Sequence, residues 1–141
     1  MSRMVVDASV VINWVLPTRA DEAETDRALD LLRHVKRGQI TLLQPPHWLV
    51  EVSAVITRLS PQTAIDDMTD LYEMELSVVN TVEVYRKAIQ LSHHLGQHLF
   101  DTLYHAVALH EVDCTLVTAD LRYYEKASVY GAICLLRDFA P

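Results

Sequence analysis

Cys114-Thr115-Leu116-Val117 is followed by a helical stretch from Asp120 to about Ala127, a turn at Gly131, and Ala132-Ile133-Cys134-Leu135. Two short apolar runs separated by an amphipathic segment predict strand, helix, strand. The same alternation extends back through the chain and predicts βα units around a parallel sheet. Met4-Val5-Val6 predicts the first strand, and a short apolar helix follows from about Ala8 until Pro17 ends it. Residues 20–37 predict a helix, with Asp21, Glu22 and Glu24 in its first turn and Lys36 and Arg37 in its last, as the helix dipole favours. Ala28, Leu31, Leu32 and Val35 form its apolar stripe, and Gly38 stops it.

Thr41-Leu42-Leu43 predicts the second strand, and Pro46 opens an apolar helix through about Leu59. Ser60-Pro61 reads as an N-cap and first helical position. The helix it opens is expected to turn Ile65, Met68 and Tyr72 inward and to leave Asp66, Asp67 and Asp70 in water. Ser77-Val78-Val79 predicts the third strand. Val84, Ala88, Leu91 and Leu95 repeat at helical spacing, and Gly96 stops that helix. Residues 101–111 predict a mostly apolar, central helix. The expected fold class is α/β, with five strands and the helices between them.

The 141 residues suffice for one domain, residues 1–141, and are too few for two. Half the residues are hydrophobic and 22% are charged, which excludes a disordered or low-complexity chain. The net charge of -7 argues against binding duplex nucleic acid through a broad basic face. A nucleic acid remains accessible if divalent metals supply the positive charge. Cys114 and Cys134 make no disulfide framework and are expected as buried thiols. No signal peptide is expected, and no apolar run approaches the ~20 residues of a membrane span, so a soluble cytoplasmic protein is expected. The three glycines all serve as stops or turns, and no phosphate-binding or nucleophile-elbow motif is present.

Four carboxylates stand in unusual places. Asp7 directly follows the first strand, Asp120 closely follows the fourth, Asp101 begins the central helix, and Glu51 lies within Trp48-Leu49-Val50-Glu51-Val52. Side chains beyond the carboxyl ends of parallel strands converge on one crevice. Helix capping explains each aspartate taken singly. It does not explain Glu51, which among apolar neighbours needs a partner such as Arg58 or Arg3, or an exposed face. Four converging acids repel one another unless a cation neutralises them, and oxygen ligands suit Mg²⁺ or Mn²⁺. His93, His94 and His98 cluster, but Gly96 breaks the spacing a zinc pair requires, so they read as a polar loop near the site mouth. His105 and His110 are expected on a helix face.

Val5-Val6-Asp7-Ala8-Ser9-Val10, Glu51 in the 48–55 helix, Phe100-Asp101-Thr102-Leu103-Tyr104-His105-Ala106-Val107-Ala108 and Leu116-Val117-Thr118-Ala119-Asp120 occur in that order. In these four segments the chain resembles the PIN-domain ribonucleases, and most closely the VapC-like toxins of toxin–antitoxin pairs. The resemblance implies a parallel sheet of order 3-2-1-4-5 and Mg²⁺- or Mn²⁺-dependent endonucleolytic cleavage of RNA. It implies that Asp7, Glu51, Asp101 and Asp120 are the catalytic, metal-binding acids, with Ser9 and Thr118 supporting them. Some members carry a further acid or amide where this chain has Tyr123, which leaves a second metal dependent on substrate phosphate.

The resemblance also implies a cognate VapB-like antitoxin and a homodimer, for which Trp14 and Trp48 are the exposed apolar candidates. Arg122, Lys126 and Arg19 are the candidates for contacting RNA. A receiver domain is excluded because Asp7-Ala8 offers no acidic pair, and an Asp-x-Asp phosphatase because position 9 is serine. The remaining alternative is a catalytically silent PIN scaffold that binds RNA or protein, which a missing acid would favour; none is missing.

Overall fold

The structure, a computed structural model, describes residues 2–16 and 22–140. The expected break at Pro17, the helix start at residues 20 and 21, and Arg19 lie outside the described residues. Strand β1 (Ser2–Val6) leads into α1 (Ala8–Val15) and α2 (Glu22–Lys36), then β2 (Ile40–Gln44), α3 (Trp48–Leu59) and α4 (Ala64–Glu73). The short β3 (Ser77–Val78) is followed by α5 (Val82–Leu95), α6 (Leu99–His110), β4 (Cys114–Thr118), α7 (Leu121–Ala127) and β5 (Ile133–Leu135).

All five strands pair in parallel, as the alternating pattern predicts, in the order β3-β2-β1-β4-β5 that the resemblance implies. Val5 and Val6 lie beside Leu116 and Val117 in the central pair, and all four are fully buried. Central strands of a parallel sheet are covered on both faces, which is why these read as continuous apolar runs. The chain moves outward from β1 to β2 and β3, then returns to place β4 on the other side of β1. The carboxyl ends of β1 and β4 therefore flank the point where strand order reverses, the usual ligand crevice of an open α/β sheet.

Local signals fix several element ends. Gly96 closes α5 at φ 61°, in the left-handed region that glycine enters without a Cβ penalty, and its N–H bonds to Ser92 O. Asp7 accepts from Ser9 N at 3.1 Å and caps α1. Asp120 accepts from Tyr123 N at 3.0 Å and caps α7. Asp101 is no cap: it is the third residue of α6, whose N-cap is His98 through Nδ1.

Four further expectations fail. Ser60 does not open a helix; it ends α3, its N–H bonding to Ile56 O at 2.7 Å, and a turn through Thr63 separates it from α4. The later start changes the inward face of α4. Leu71 is buried, with Ala64 and Met74 packed against the core, while Ile65 and Tyr72 are exposed. Docking on α3 sets the phase of this short helix, and its apolar residues are too scattered to set it alone. Trp14 and Trp48 are buried rather than exposed, and Trp14 Nε1 donates to Ala28 O at 2.8 Å, which offsets burial of the indole N–H. Cys114 is buried as expected, but Cys134 is only half-buried.

His105, expected on a helix face, is fully buried. Its Nε2 meets Gly131 O at 2.7 Å and its Nδ1 meets Tyr123 Oη at 2.9 Å. A carbonyl only accepts, so Nε2 carries the proton and Nδ1 accepts from the tyrosine. Burial pushes the imidazole below its ordinary value. The unfolded chain therefore takes up a proton near pH 6.5 that the folded chain resists, and the His105 contribution is complete above that pH and lost as pH falls. Between pH 7.5 and 5, wild type is expected to lose more stability than His105→Gln, so that the gap between them narrows. Chemical denaturation of both at the two pH values measures this, and a constant gap would contradict it.

Candidate active site

Asp7 emerges at the end of β1, and a hydroxyl meets each of its carboxylate oxygens. Ser9 Oγ donates to Oδ1, and Thr118 Oγ1, from the end of β4, donates to Oδ2 at 2.5 Å. Ser9 Oγ in turn accepts from Ala119 N at 2.9 Å, and Thr118 Oγ1 from Asp120 N at 3.0 Å. The network ties β1 to the β4–α7 turn and fixes the rotamer of Asp7. Ser9 and Thr118 thus stand where the sequence suggested, in contact with the first acid.

Glu51 reaches the crevice from α3. Neither Arg58 nor Arg3 pairs with it; Arg3 pairs with Glu111 at 3.0 Å. Glu51 Oε1 accepts instead from Tyr104 Oη at 2.9 Å. Tyr104 is buried, and its hydroxyl is pushed well above the usual phenol range by burial and by Glu51 beside it, so it stays a neutral donor. His47 Nε2 lies 3.9 Å from Glu51 Oε2 and meets Phe100 O at 2.9 Å. The carbonyl places the proton on Nε2, which leaves Nδ1 buried and, among the described residues, without a partner. Burial lowers the His47 pKa, in keeping with a neutral ring.

Asp101, on the first turn of α6, accepts from Gln97 Nε2 at 3.3 Å, and Gln97 Oε1 accepts from Lys126 Nζ at 2.8 Å. Lys126 therefore sits at the site margin, while Arg122 is exposed on α7. His98, at the start of α6, lies close enough to Glu51 and Asp101 to oppose in part the rise that burial causes in both, a position near the site mouth. His93 and His94 lie at the end of α5 instead. Tyr123 is buried, and its hydroxyl bonds to His105.

Asp7, Asp101 and Asp120 stand within electrostatic reach of one another, and Glu51 within reach of Asp101. Asp7 is raised to about 6, first by burial and then by Asp120 and Asp101, against the lowering effect of its hydroxyl partners. Asp101 is raised by burial and by Asp120, and Glu51 by burial and by Asp101. Among the described residues no Lys or Arg forms an ion pair with any of the four. Among the described residues no three carboxylate, histidine or cysteine groups already converge closely enough to hold an ion. Without a cation, mutual repulsion and desolvation both act against close approach. An oxygen-only donor set in which Asp7, Glu51 and Asp101 are raised fits a hard divalent ion, whose charge reverses those penalties.

The sequence reading missed Tyr104, Gln97 and Gln44. Tyr104 follows Asp101 by three residues, so it shares a helix face with it, a signal available from spacing. Gln44 ends the apolar run of β2, fully buried, with Oε1 accepting from Val6 N at 3.0 Å and Nε2 donating to Val6 O at 2.8 Å. A glutamine at a strand end gives no local hint of such a role.

The family model described as PIN domain matches residues 4–129 of the chain. No curated protein matches it.

Proposed function

The chain belongs to the PIN domain family, whose members are typically metal-dependent nucleases, and from that membership we propose an endoribonuclease acting as the toxin of a toxin–antitoxin pair. The observation that supports the reading is Asp7 at the strand-order reversal, braced by two hydroxyls and raised by burial and by the neighbouring Asp120 and Asp101. Asp7, Glu51, Asp101 and Asp120 would hold Mg²⁺ or Mn²⁺. Such an ion polarises a phosphoryl oxygen and acidifies water at neutral pH.

The protein's own groups divide the remaining work. Ser9 and Thr118 hold the Asp7 carboxylate in one orientation, Tyr104 holds Glu51, and Gln97 holds Asp101. Asp7, Glu51 and Asp101 are half-buried, and Asp120 stands at the open side of the crevice. Tyr123 contributes no further acid, so one resident ion is the favoured stoichiometry, with any second ion arriving with substrate phosphate. Residues 1–141 act as a single domain, with Lys126 and Arg122 near its rim as RNA contacts. The proposed partners are a VapB-like antitoxin and a second copy of the chain, in the cytoplasm. Among the described residues no helix is long and apolar enough to cross a membrane.

Water-mediated hydrolysis does not use the RNA 2′-hydroxyl. Purified protein with Mg²⁺ or Mn²⁺ is therefore expected to cut RNA into fragments bearing 5′-phosphate and 3′-hydroxyl ends, and EDTA is expected to stop it. End mapping by sequencing checks this. Fragments ending in 2′,3′-cyclic phosphate, or cleavage that persists in EDTA, would sink the metal-hydrolysis reading.

A further inference from the structure

We propose that the hollow between α3 and the start of α6 seats one unpaired nucleotide of the RNA, its base stacked on Phe100 and its phosphate held by Arg58. This rests on the nuclease reading above and specifies how that site takes its substrate.

The hollow measures about 420 Å³ and is lined by Val50, Glu51, Ala54, Val55, Arg58 and Phe100. Residues 51, 54, 55 and 58 recur at one-turn spacing, so a single face of α3 forms its wall. Glu51 places it against the acid crevice. A second hollow of about 360 Å³, lined in part by Ser9 and Ala119, also touches Val55. The two hollows meet at Val55, and Glu51 lines the first of them.

Phe100 immediately precedes Asp101, yet it is 46% exposed. It is exposed without being loose. Its ring lies 5.0 Å from that of His47 and 4.7 Å from that of His98, edge-on to the latter. His47 is fixed in turn by its bond to the Phe100 carbonyl and by packing on Tyr104, with ring centroids 4.8 Å apart. A braced, half-exposed aromatic ring beside a phosphate-cleaving site is the form a base-stacking platform takes. Arg58 is exposed, and among the described residues it forms no ion pair. It therefore offers a free guanidinium to a phosphate.

The charge of the chain gives weight to a contact that needs no charge. At net charge -7 the protein gains little from long-range attraction to a polyanion. Stacking on an aromatic face needs no charge, and it selects unpaired over paired bases because only an unpaired base presents its face.

The test uses the full chain with Mg²⁺ and a fluorescein-labelled, phosphorothioate-linked single-stranded octaribonucleotide, followed by anisotropy. Parallel oligonucleotides carry one abasic residue at each position in turn. Cleavage of the unmodified RNA is measured alongside. Phe100→Leu, which keeps an apolar contact with His47, and Phe100→Ala are each expected to weaken binding about tenfold, whereas Phe100→Trp keeps it. At one abasic position, wild type and Phe100→Leu are expected to bind alike. Arg58→Gln is expected to reduce the log–log salt slope by about one. If wild type cleaves RNA but Phe100→Leu binds the intact oligonucleotide as tightly as wild type, the inference is overturned and the nuclease reading stands. Equal affinity for a duplex would also overturn the inference alone. If wild type cleaves no RNA with either metal, the nuclease reading fails and the inference fails with it.

Discussion

Asp7→Asn is expected to reduce RNA cleavage about a thousandfold or more, corresponding to the several kcal/mol a metal centre contributes to phosphoryl transfer. The same substitution is expected to make the metal-free protein more stable. Asp7 is raised to about 6 in the fold against an ordinary 3.8, chiefly by burial and then by Asp120 and Asp101. A carboxyl raised in the folded state favours folding below its unfolded pKa and loses that contribution as pH rises through its folded value. Above pH 7 the ionised Asp7 therefore costs up to about 3 kcal/mol, which Asn removes. Asn caps α1 nearly as well as Asp, but its amide nitrogen cannot accept from a hydroxyl, so the loss of one of the Ser9 and Thr118 bonds offsets part of that gain.

Mg²⁺ at roughly ten times its dissociation constant is expected to stabilise wild type by about 1.4 kcal/mol, and Asp7→Asn by clearly less. Thermal unfolding of both proteins in EDTA and in Mg²⁺, at pH 5 and pH 8, measures all of this. The advantage of the variant in EDTA should be larger at pH 8. Full cleavage by folded Asp7→Asn would overturn the proposed role of the acid. Loss of cleavage with no change in metal-free stability would mean that Asp7 is well solvated.

Gln44→Leu is expected to cost about 2–5 kcal/mol of folding stability, because it leaves the buried N–H and C=O of Val6 without partners. The substituted side chain is close in size, so the loss reflects hydrogen bonding rather than a cavity. Val6 immediately precedes Asp7, and the Gln44 side chain extends the ladder of β1 by one step in place of a strand backbone. Activity is therefore expected to fall further than the unfolded fraction explains. Urea denaturation reads the stability, with an unchanged m-value as the mark of a simple loss. A cost below 1 kcal/mol would mean that Val6 finds other partners.

Hydrophobic periodicity located each of the five strands to within two residues, and Gly38, Gly96 and Gly131 marked the ends between them. Those signals are local, arising from backbone freedom and from side-chain spacing along one element. They weakened where elements were short. Ser60-Pro61 has the chemistry of a helix start, yet the turn it belongs to ends α3. The apolar residues of α4 admit two phases, and packing on α3 selects the one with Leu71 inside.

The site divides along the same line. Asp7, Asp101 and Asp120 were legible because each sits at or near the start of a helix beside the open ends of parallel strands, and Glu51 because a carboxylate stood among apolar neighbours. Their partners were not legible. Glu51 and Tyr104 are 53 residues apart, Asp7 and Thr118 are 111 apart, and Gln44 and Val6 are 38 apart. A sequence by itself determines what each residue offers, a charge, a hydroxyl or an amide, and the period with which it recurs. Which donor meets which acceptor across such separations depends on strand order and helix docking. Only the tertiary structure decided that Tyr104 rather than Arg58 holds Glu51, that both tryptophans turn inward, and that Phe100 stays at the surface.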